Sequence, residues 1–328
     1  MRQYAKILKE IVGSGSIKPS AREGLPSTLS VFDRQIIVKP EDGLPILMGK
    51  KVLIKNVISE LLWFIKGNTN IKFLHDYGNH IWDDDAYRYY RELGGVLNFE
   101  TLLEKVDNPI AAIDFNSALD NKIPKNYNYG DCGKIYGHQW RNQDSQVDQL
   151  GRLIFNLIEK PFSRYHIVDA WNWKDTIYSS QALPACHTFF QCNVRQGRDD
   201  KYLDLSMWQR SCDMFLGVPY NLLSYGILHR ILCRITGYKL GTFVWHGADC
   251  HVYENQLDAV NNYLNRVDNK LPRNEAQCII STRPFRNTEN NMDVIDEIQV
   301  EDISIINYNP LSYISAPLST GVNKYKKE

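Results

Sequence analysis

The amino-acid sequence predicts an α+β fold. Some segments carry apolar residues at helical spacing, others are rich in β-branched residues, and no internal repeat is visible. The predicted strands 187–194 and 202–209 are separated by a short turn at 196–199, which indicates antiparallel pairing. Because elements of both kinds occur together with turns of this type, α+β is the predicted class.

The first third of the chain contains two predicted helices and one strand. Residues 4–12 place their apolar side chains on one helical face, and the following Gly13 helps to end the helix. Residues 30–38 are predicted as a strand from their β-branched content. A second helix is expected over about 52–66, ending at Gly67.

Residues 83–133 are polar and rich in Tyr and Asn, with a short helical pattern near 99–106. We interpret this segment as a surface insertion in a single domain that spans residues 1–328. The remaining predicted elements are helices and strands in mixed order: helix 147–159, strand 167–171, strands 187–194 and 202–209, a buried helix 222–235, strand 241–253, helix 255–265, and strands near 278–281 and 303–308.

Composition excludes several classes of function. The 328 residues include 38 Lys+Arg and 38 Asp+Glu, so bulk charge gives no support to nonspecific binding of nucleic acid or a membrane surface. No apolar run approaches the ~18–20 residues of a membrane span, and no secretory signal is visible. Seven cysteines without a CxxC pair predict reduced thiols, with no disulfide scaffold and no metal site. We therefore expect a cytoplasmic protein.

Glu60 is a candidate proton carrier. Its helical neighbours Val57, Trp63 and Phe64 are apolar, so its carboxylate is expected to be buried. Burial raises the pKa of a carboxyl group and lets it exchange protons near neutral pH. A structural ion pair with a buried Arg is the alternative, and this segment alone does not decide between them.

Cys186 follows Pro184 at the bend that enters a predicted strand. A cysteine at such a bend can present its sulfur to a cavity, where a nearby cation would favour the thiolate. An inert buried cysteine is the alternative. The adjacent His187 does not form a dyad with it, because neighbours on a strand point to opposite faces.

Two further segments carry polar groups suited to ligands. Arg210 and Ser211 can bind a phosphate or carboxylate, or Arg210 can form a salt bridge at a strand end. Asn221 precedes an almost wholly apolar helix and can cap it. Alternatively, its amide can read a donor and an acceptor on a pyrimidine edge.

Taken together, the order and spacing of these motifs resemble those of the folate-dependent thymidylate synthase family over nearly the whole chain. This family includes thymidylate synthases and pyrimidine nucleotide hydroxymethylases. The matching segments are 60–64, 68–70, 81–83, 136–141, 163–164, 183–187, 209–213, 216–221 and 247–253. The resemblance implies a large mixed sheet packed with helices, and an active site built from two chains of a homodimer.

The resemblance also implies an activity, the reductive methylation of dUMP at C5. Cys186 would be the nucleophile that adds to C6 of uracil, and Glu60 and Tyr136 would move protons. The family pattern brings further residues into the catalytic set: His187, Asp213 and Arg210. A cysteine hydrolase and an inactive binding protein are less favoured, since neither explains why all these residues occur together.

Substrate contacts follow from the same resemblance. Asn221 is expected to read uracil, and Arg164 is expected to reach the nucleotide phosphate from the neighbouring subunit. The full nucleotide set is Arg22, Arg164, Gln209, Arg210, Ser211, Asn221, His251 and Tyr253. The cosubstrate would be 5,10-methylenetetrahydrofolate, with Lys50 near its glutamate tail and its rings held by Trp82, Leu183, Asp213, Leu216, Gly217 and Tyr220.

The chain departs from the family pattern at several places. Leu53 and Asn56 occupy positions near the cofactor that more typical polar contacts often fill. Tyr165 follows Arg164 where a second arginine is usual, and Asp85 replaces an aromatic residue near the cofactor. Residues 319–328 form a C-terminal extension, whereas family synthases end shortly after an Ala-Pro pair that matches Ala316-Pro317. We expect dTMP and dihydrofolate as products, and hydroxymethylation of dUMP, or less readily of dCMP, is the alternative.

Overall fold

The computed structural model describes residues 1–20, 24–108, 123, 127–269, 271–286 and 293–319. The described strands are β1 Ser16–Lys18, β2 Thr28–Val38, β3 Ile167–Asp169, β4 His187–Gln196, β5 Lys201–Asp213, β6 Lys239–Tyr253, β7 Gln277–Ile280 and β8 Ile303–Ile306. Six of them form one mixed sheet in the order β1-β2-β6-β5-β4-β3, and β7 and β8 form a second small sheet. The predicted α+β class is therefore confirmed.

One parallel pair determines where polar residues meet in the large sheet. β5 and β6 run parallel, whereas the other described pairs in this sheet are antiparallel. The register places Ser211 opposite Asp249 and Asp213 opposite His251. Because parallel strands end at the same edge, the polar C-terminal residues of both strands lie side by side.

Helices cover the sheet and supply most of the core. The helix Gly217–Thr236 connects β5 to β6 and is buried along nearly its whole length, as its apolar composition predicts. The other described α-helices are Arg2–Ser14, Ile54–Ile65, Lys72–His75, Asp83–Glu92, Phe99–Asp107, Tyr136–Asn142, Gln149–Glu159, Trp173–Ile177, Leu257–Asn269, Arg283–Arg286 and Val294–Glu297.

The buried helix begins five residues earlier than the sequence predicts. Leu216 is its N-cap and Gly217 its first residue, so Asn221 lies in the second turn. The hypothesis that Asn221 caps the helix is therefore wrong. Pro219 lies in the first helical turn, where proline fits because the N–H it lacks would have no intrahelical partner.

The segment 83–133 contributes to the core. The expected helix near Phe99–Val106 is confirmed as Phe99–Asp107, whereas the helix Asp83–Glu92 was not predicted. Tyr87, Tyr90 and Leu102 are at most 1% exposed, so both helices bury apolar side chains. Residues 109–122 and 124–126 lie outside the described part, and the insertion itself stays a prediction.

Among the described helices, none combines the length and the apolar character that crossing a membrane requires.

Candidate active site

A cavity of about 440 Å³ opens at the edge where β5 and β6 end. Helices Ile54–Ile65, Tyr136–Asn142 and Gly217–Thr236 contribute further walls. The cavity brings together most of the residues that the sequence singled out, and among its lining residues are Glu60, Trp82, Tyr136, Leu183, Cys186, His187, Gln209, Arg210, Ser211, Asp213, Gly217, Asn221, His251 and Tyr253.

Cys186 lies beside a fixed positive charge. The Arg210 guanidinium donates to the carbonyl oxygens of Ala185 and Pro184, each at 2.8 Å, which holds it against the loop that carries Cys186. Arg210 Nη2 lies 4.0 Å from Cys186 Sγ. A cation at this distance favours the ionised form of a thiol, so the arrangement suits a nucleophile.

Tyr136 and His187 form a buried stack behind Cys186. Their ring centroids are 3.9 Å apart, and the Tyr136 hydroxyl oxygen accepts the backbone N–H of Cys186 at 2.7 Å. Burial raises the pKa of Tyr136 well above 10 and lowers the pKa of His187 to about 3. Near neutral pH both groups are therefore uncharged, and Tyr136 retains an O–H hydrogen to donate.

Glu60 is buried, as the sequence predicts, and is 8% exposed. Its Oε1 accepts the indole N–H of Trp82 at 2.7 Å. Desolvation raises the pKa of Glu60 to about 7, although the Trp82 hydrogen bond acts in the opposite direction. Its described hydrogen bond joins it to an indole, whereas the structural alternative requires a buried Arg, so the geometry favours a proton carrier.

Asn221 lies in a line of side-chain hydrogen bonds. Gln209 Nε2 donates to Asn221 Oδ1 at 3.0 Å, and the Trp245 indole donates to Gln209 Oε1 at 2.9 Å. Gln209 is 3% exposed and Trp245 is fully buried. Trp245 was not predicted as a site residue, because a tryptophan in a predicted strand carries no signal that distinguishes a polar role from packing.

Backbone N–H groups that follow Asp213 in the sequence orient its carboxylate. Its Oδ1 accepts the backbone N–H groups of Phe215 and Leu216 at 3.0 Å, and its Oδ2 lies 3.4 Å from Gln256 Nε2. Gln256 also donates to the Pro317 carbonyl oxygen at 3.2 Å. Leu318 and Ser319 line the cavity, so the C-terminal segment reaches the site through this contact.

Lys18 and Asp249 form an ion pair at the cavity wall, and neither was assigned a role from the sequence. The backbone carbonyl oxygen of Asp249 lies 3.1 Å from His251 Nδ1 and can accept a hydrogen bond from it. Lys18 precedes an irregular loop in the sequence, where a single lysine gives no spacing signal that would have identified it. The pair places one positive and one negative charge on the cavity wall.

Some candidates lie elsewhere. Lys50 is buried under Phe215, with its ammonium donating to the Phe215 carbonyl and lying 3.7 Å from the ring centroid. Burial lowers its pKa to about 8. Leu216, Tyr220 and Arg164 are also absent from the cavity lining, and Arg22 lies outside the described residues. The roles assigned to these five residues, like those assigned to the residues that line the cavity, stay predictions.

Asp85, the departure near the cofactor, lines the cavity and pairs with Arg88 at 2.6 Å. Arg88 in turn donates to the Ala182 carbonyl at 2.7 Å. The pair is only slightly exposed, and it ties the helix Asp83–Glu92 to the loop before Cys186. A carboxylate therefore takes up part of the wall where an aromatic side chain was expected.

The motifs at this cavity match a known family. The family model described as "Thymidylate synthase" matches residues 2–320. The chain belongs to the thymidylate synthase family. Relatives named thymidylate synthase include those of Mycoplasma mobile, 36% identical, and of Listeria monocytogenes and Listeria innocua, each 34% identical. Each alignment covers 97% of this chain and all of the relative, so the match extends well beyond the motifs.

Membership of the thymidylate synthase family gives the clustered residues a common explanation. Cys186, the buried carboxyl group of Glu60 and the amide of Asn221 line one cavity, although they lie on separate elements of the chain.

Proposed function

We propose that this protein is a thymidylate synthase that methylates dUMP at C5 with 5,10-methylenetetrahydrofolate and gives dTMP and dihydrofolate. The observation that carries the proposal is the position of Cys186 Sγ beside Arg210, in the same cavity as Asn221. Membership of the family supports it, since the relatives that align over their full length carry this name.

Cys186 begins the chemistry. Its thiolate bonds to C6 of uracil, and the electron pair of the C5–C6 double bond moves toward C5 and O4. Arg210 favours the ionised sulfur before the attack. Once C5 carries the new carbon substituent, it must lose its proton, and the covalent bond to Cys186 is released at the end of the sequence.

Glu60 and Tyr136 handle the protons. With a pKa of about 7, Glu60 is able both to hold and to release a proton near neutral pH. Tyr136 stays a neutral phenol whose oxygen is held by the Cys186 N–H, so its hydrogen is directed away from that bond. The two groups together supply an acid and a base on the cavity wall.

The remaining wall fits a folate. Trp82 and Leu183 offer apolar surface for a ring system, and Asp213 offers a carboxylate that suits the N–H groups of a pterin. The folate supplies the one-carbon unit and the hydride that completes the methyl group. Leu318 and Ser319 line the same cavity and would limit the access of water.

The nucleotide phosphate would be held by Arg210, Ser211 and Arg22, with Arg164 of the partner subunit completing the site. A homodimer is supported by the sheet face, where Trp208 is 42% exposed and stacks 4.1 Å from His246 and 5.8 Å from Phe189. Exposed aromatic clusters of this kind mark interaction surfaces. The seven cysteines are free thiols, which suits the cytoplasm.

Product analysis tests the proposal. Purified protein, dUMP and 5,10-methylenetetrahydrofolate should give dTMP and dihydrofolate, which chromatography and near-ultraviolet absorbance detect. A folate analogue should trap a covalent complex through Cys186 that survives denaturing mass spectrometry. If 5-hydroxymethyl-dUMP and tetrahydrofolate form, a hydroxymethylase replaces this proposal, and if no covalent complex forms, a transferase mechanism through Cys186 is wrong.

A further inference from the structure

Three side chains form a hydrogen-bonded row that ends at the cavity. Trp245 on β6 donates to Gln209 on β5, and Gln209 donates to Asn221 on the helix Gly217–Thr236. Gln209 Nε2 also donates to the Ser211 carbonyl oxygen at 3.1 Å. Trp245 is absent from the cavity lining, and its indole N–H is linked to the cavity through Gln209.

The chemistry of the two outer partners fixes the orientation of both amides. An indole N–H is only a donor, so the Gln209 atom beside Trp245 must be the amide oxygen. The Ser211 carbonyl is only an acceptor, so the other Gln209 atom must be the NH2 group. With one hydrogen on Ser211, the second hydrogen points to Asn221, whose facing atom must then be Oδ1.

A fixed Asn221 amide has a consequence for base recognition. Uracil presents N3–H as a donor and O4 as an acceptor, whereas cytosine presents the reverse pattern at N3 and N4. An amide that is free to rotate by half a turn could match either base. An amide held in one orientation matches only one, so discrimination depends on what prevents the rotation.

We propose that Trp245 is a positioning residue that sets base specificity by locking Gln209 and, through it, Asn221. The inference rests on the proposed function, because it requires the pyrimidine to face Asn221. Rotation of Asn221 would bring two NH2 groups together unless Gln209 rotated as well. Rotation of Gln209 would set its oxygen against the Ser211 carbonyl and its NH2 against the indole N–H.

The test is the ratio of the dissociation constants for dCMP and dUMP, measured by calorimetry on the full chain. Trp245→Phe keeps an aromatic ring but removes the donor, and we expect the preference for dUMP to fall by about tenfold. Trp63→Phe is the matched control, since Trp63 is equally buried and its indole donates to the Asn70 carbonyl. That variant should discriminate as the parent does.

A second variant keeps the inference testable if Trp245→Phe folds poorly. Gln209→Glu is close in size but removes the NH2 group, so Asn221 should rotate to donate to it, and preference should move toward dCMP. Asn221→Asp serves as the positive control for base reading. If the parent prefers dUMP while a folded Trp245→Phe keeps the parental ratio, Trp245 does not set the preference. If Trp245→Phe does not fold and Gln209→Glu keeps the parental ratio, the lock is wrong. If the parent shows no preference for dUMP, the proposed function fails instead.

Discussion

At the scale of single residues, burial and one neighbouring charge decide the chemistry of the site. The helix around Glu60 removes its carboxyl group from water, and the pKa rises to about 7. Arg210 donates hydrogen bonds to the carbonyl oxygens of Pro184 and Ala185, so its guanidinium is fixed near Cys186 before any ligand binds. Groups prepared in this way need little rearrangement when the reaction begins.

Cys186→Ser should abolish turnover, because a hydroxyl group does not ionise near pH 7 as a thiol does. We expect the rate of dTMP formation to fall at least about a thousandfold. Binding of dUMP should survive, since Arg210 and Asn221 are unchanged. Steady-state assays and calorimetry provide both measurements, and a variant rate within about tenfold of the parent would disprove the assignment of the nucleophile.

Glu60→Gln should stabilise the protein at pH 8 while reducing its activity. Glu60 has a higher pKa in the folded protein than in the unfolded chain. Its ionisation therefore does not lower the free energy of unfolding below about pH 4.5, and lowers it increasingly as the pH rises to about 7. At pH 8 the free energy of unfolding of Glu60→Gln should exceed that of the parent by about 3 kcal/mol. Urea unfolding at pH 4.5 and pH 8 measures the gain, and an equal effect at both pH values would contradict it.

At the scale of elements, single polar side chains join segments that are distant in the sequence. His75 bridges two helices, with Nε2 2.8 Å from Asp83 and Nδ1 2.7 Å from Asp107. These residues begin the helix Asp83–Glu92 and end the helix Phe99–Asp107. With a carboxylate at each ring nitrogen, the charged imidazolium is the form that satisfies both contacts.

His75 should make stability depend on pH. Burial disfavours its charged form, but the hydrogen bonds to Asp83 and Asp107 outweigh burial and raise its pKa above 6.5. The stabilisation that charged His75 gives to the folded state is fully present below pH 6.5 and is lost as the pH rises through its pKa in the folded protein. His75→Gln should lower the free energy of unfolding by about 2 kcal/mol at pH 6 and by less at pH 8.5.

Urea unfolding at the two pH values provides the measurement. His80→Gln is the control, because the exposed His80 side chain pairs with Asp83 and packs against the His75 ring, with centroids 4.5 Å apart, but forms no described bridge to Asp107. A His75→Gln loss that stays constant between pH 6 and pH 8.5 would mean that the bridge does not depend on charge.

The C-terminal segment should influence the product. Leu318 and Ser319 line the cavity, and Pro317 is held by Gln256. Removing residues 316–328 should admit water and shift part of the product from dTMP to 5-hydroxymethyl-dUMP. A chain that ends at Ser319 keeps every described residue of this wall and should still form dTMP. Chromatography of single-turnover mixtures measures the two nucleotide products. Identical products from the two truncated chains would show that residues 316–319 do not exclude water from the cavity.

At the scale of the whole molecule, the sheet organises both the cavity and the expected subunit contact. The parallel pairing of β5 and β6 gathers polar residues at one edge, while aromatic residues remain on an exposed face. Arg164 and Tyr165 follow the helix Gln149–Glu159 and are exposed, with Tyr165 at 85%. Exposure in one chain is what a residue needs in order to serve a site in its partner.

Mixing two inactive variants tests the shared site. Arg164→Ala subunits keep Cys186, and Cys186→Ser subunits keep Arg164, so a hybrid dimer has one site with both residues. After subunit exchange of an equal mixture, about a quarter of the parental activity should return. Native mass spectrometry confirms the exchange, and hybrids without activity would show that Arg164 does not act across the interface.

The sequence by itself determined the features that depend on neighbours along the chain. The apolar positions around Glu60 predicted its burial, and the order of motifs predicted the family and most of the cavity residues. The start of the buried helix was predicted five residues too late, because its apolar pattern begins at Leu222 whereas the helix itself begins at Gly217.

Only the tertiary structure decided which distant groups touch. The parallel register of β5 and β6 brings Trp245 to Gln209, and the packing of the loop brings Arg210 to Cys186. Lys18 pairs with Asp249 across 231 positions of the sequence. Periodicity records which face of an element is apolar, but the partner of a polar group depends on strand pairing and packing over the whole chain.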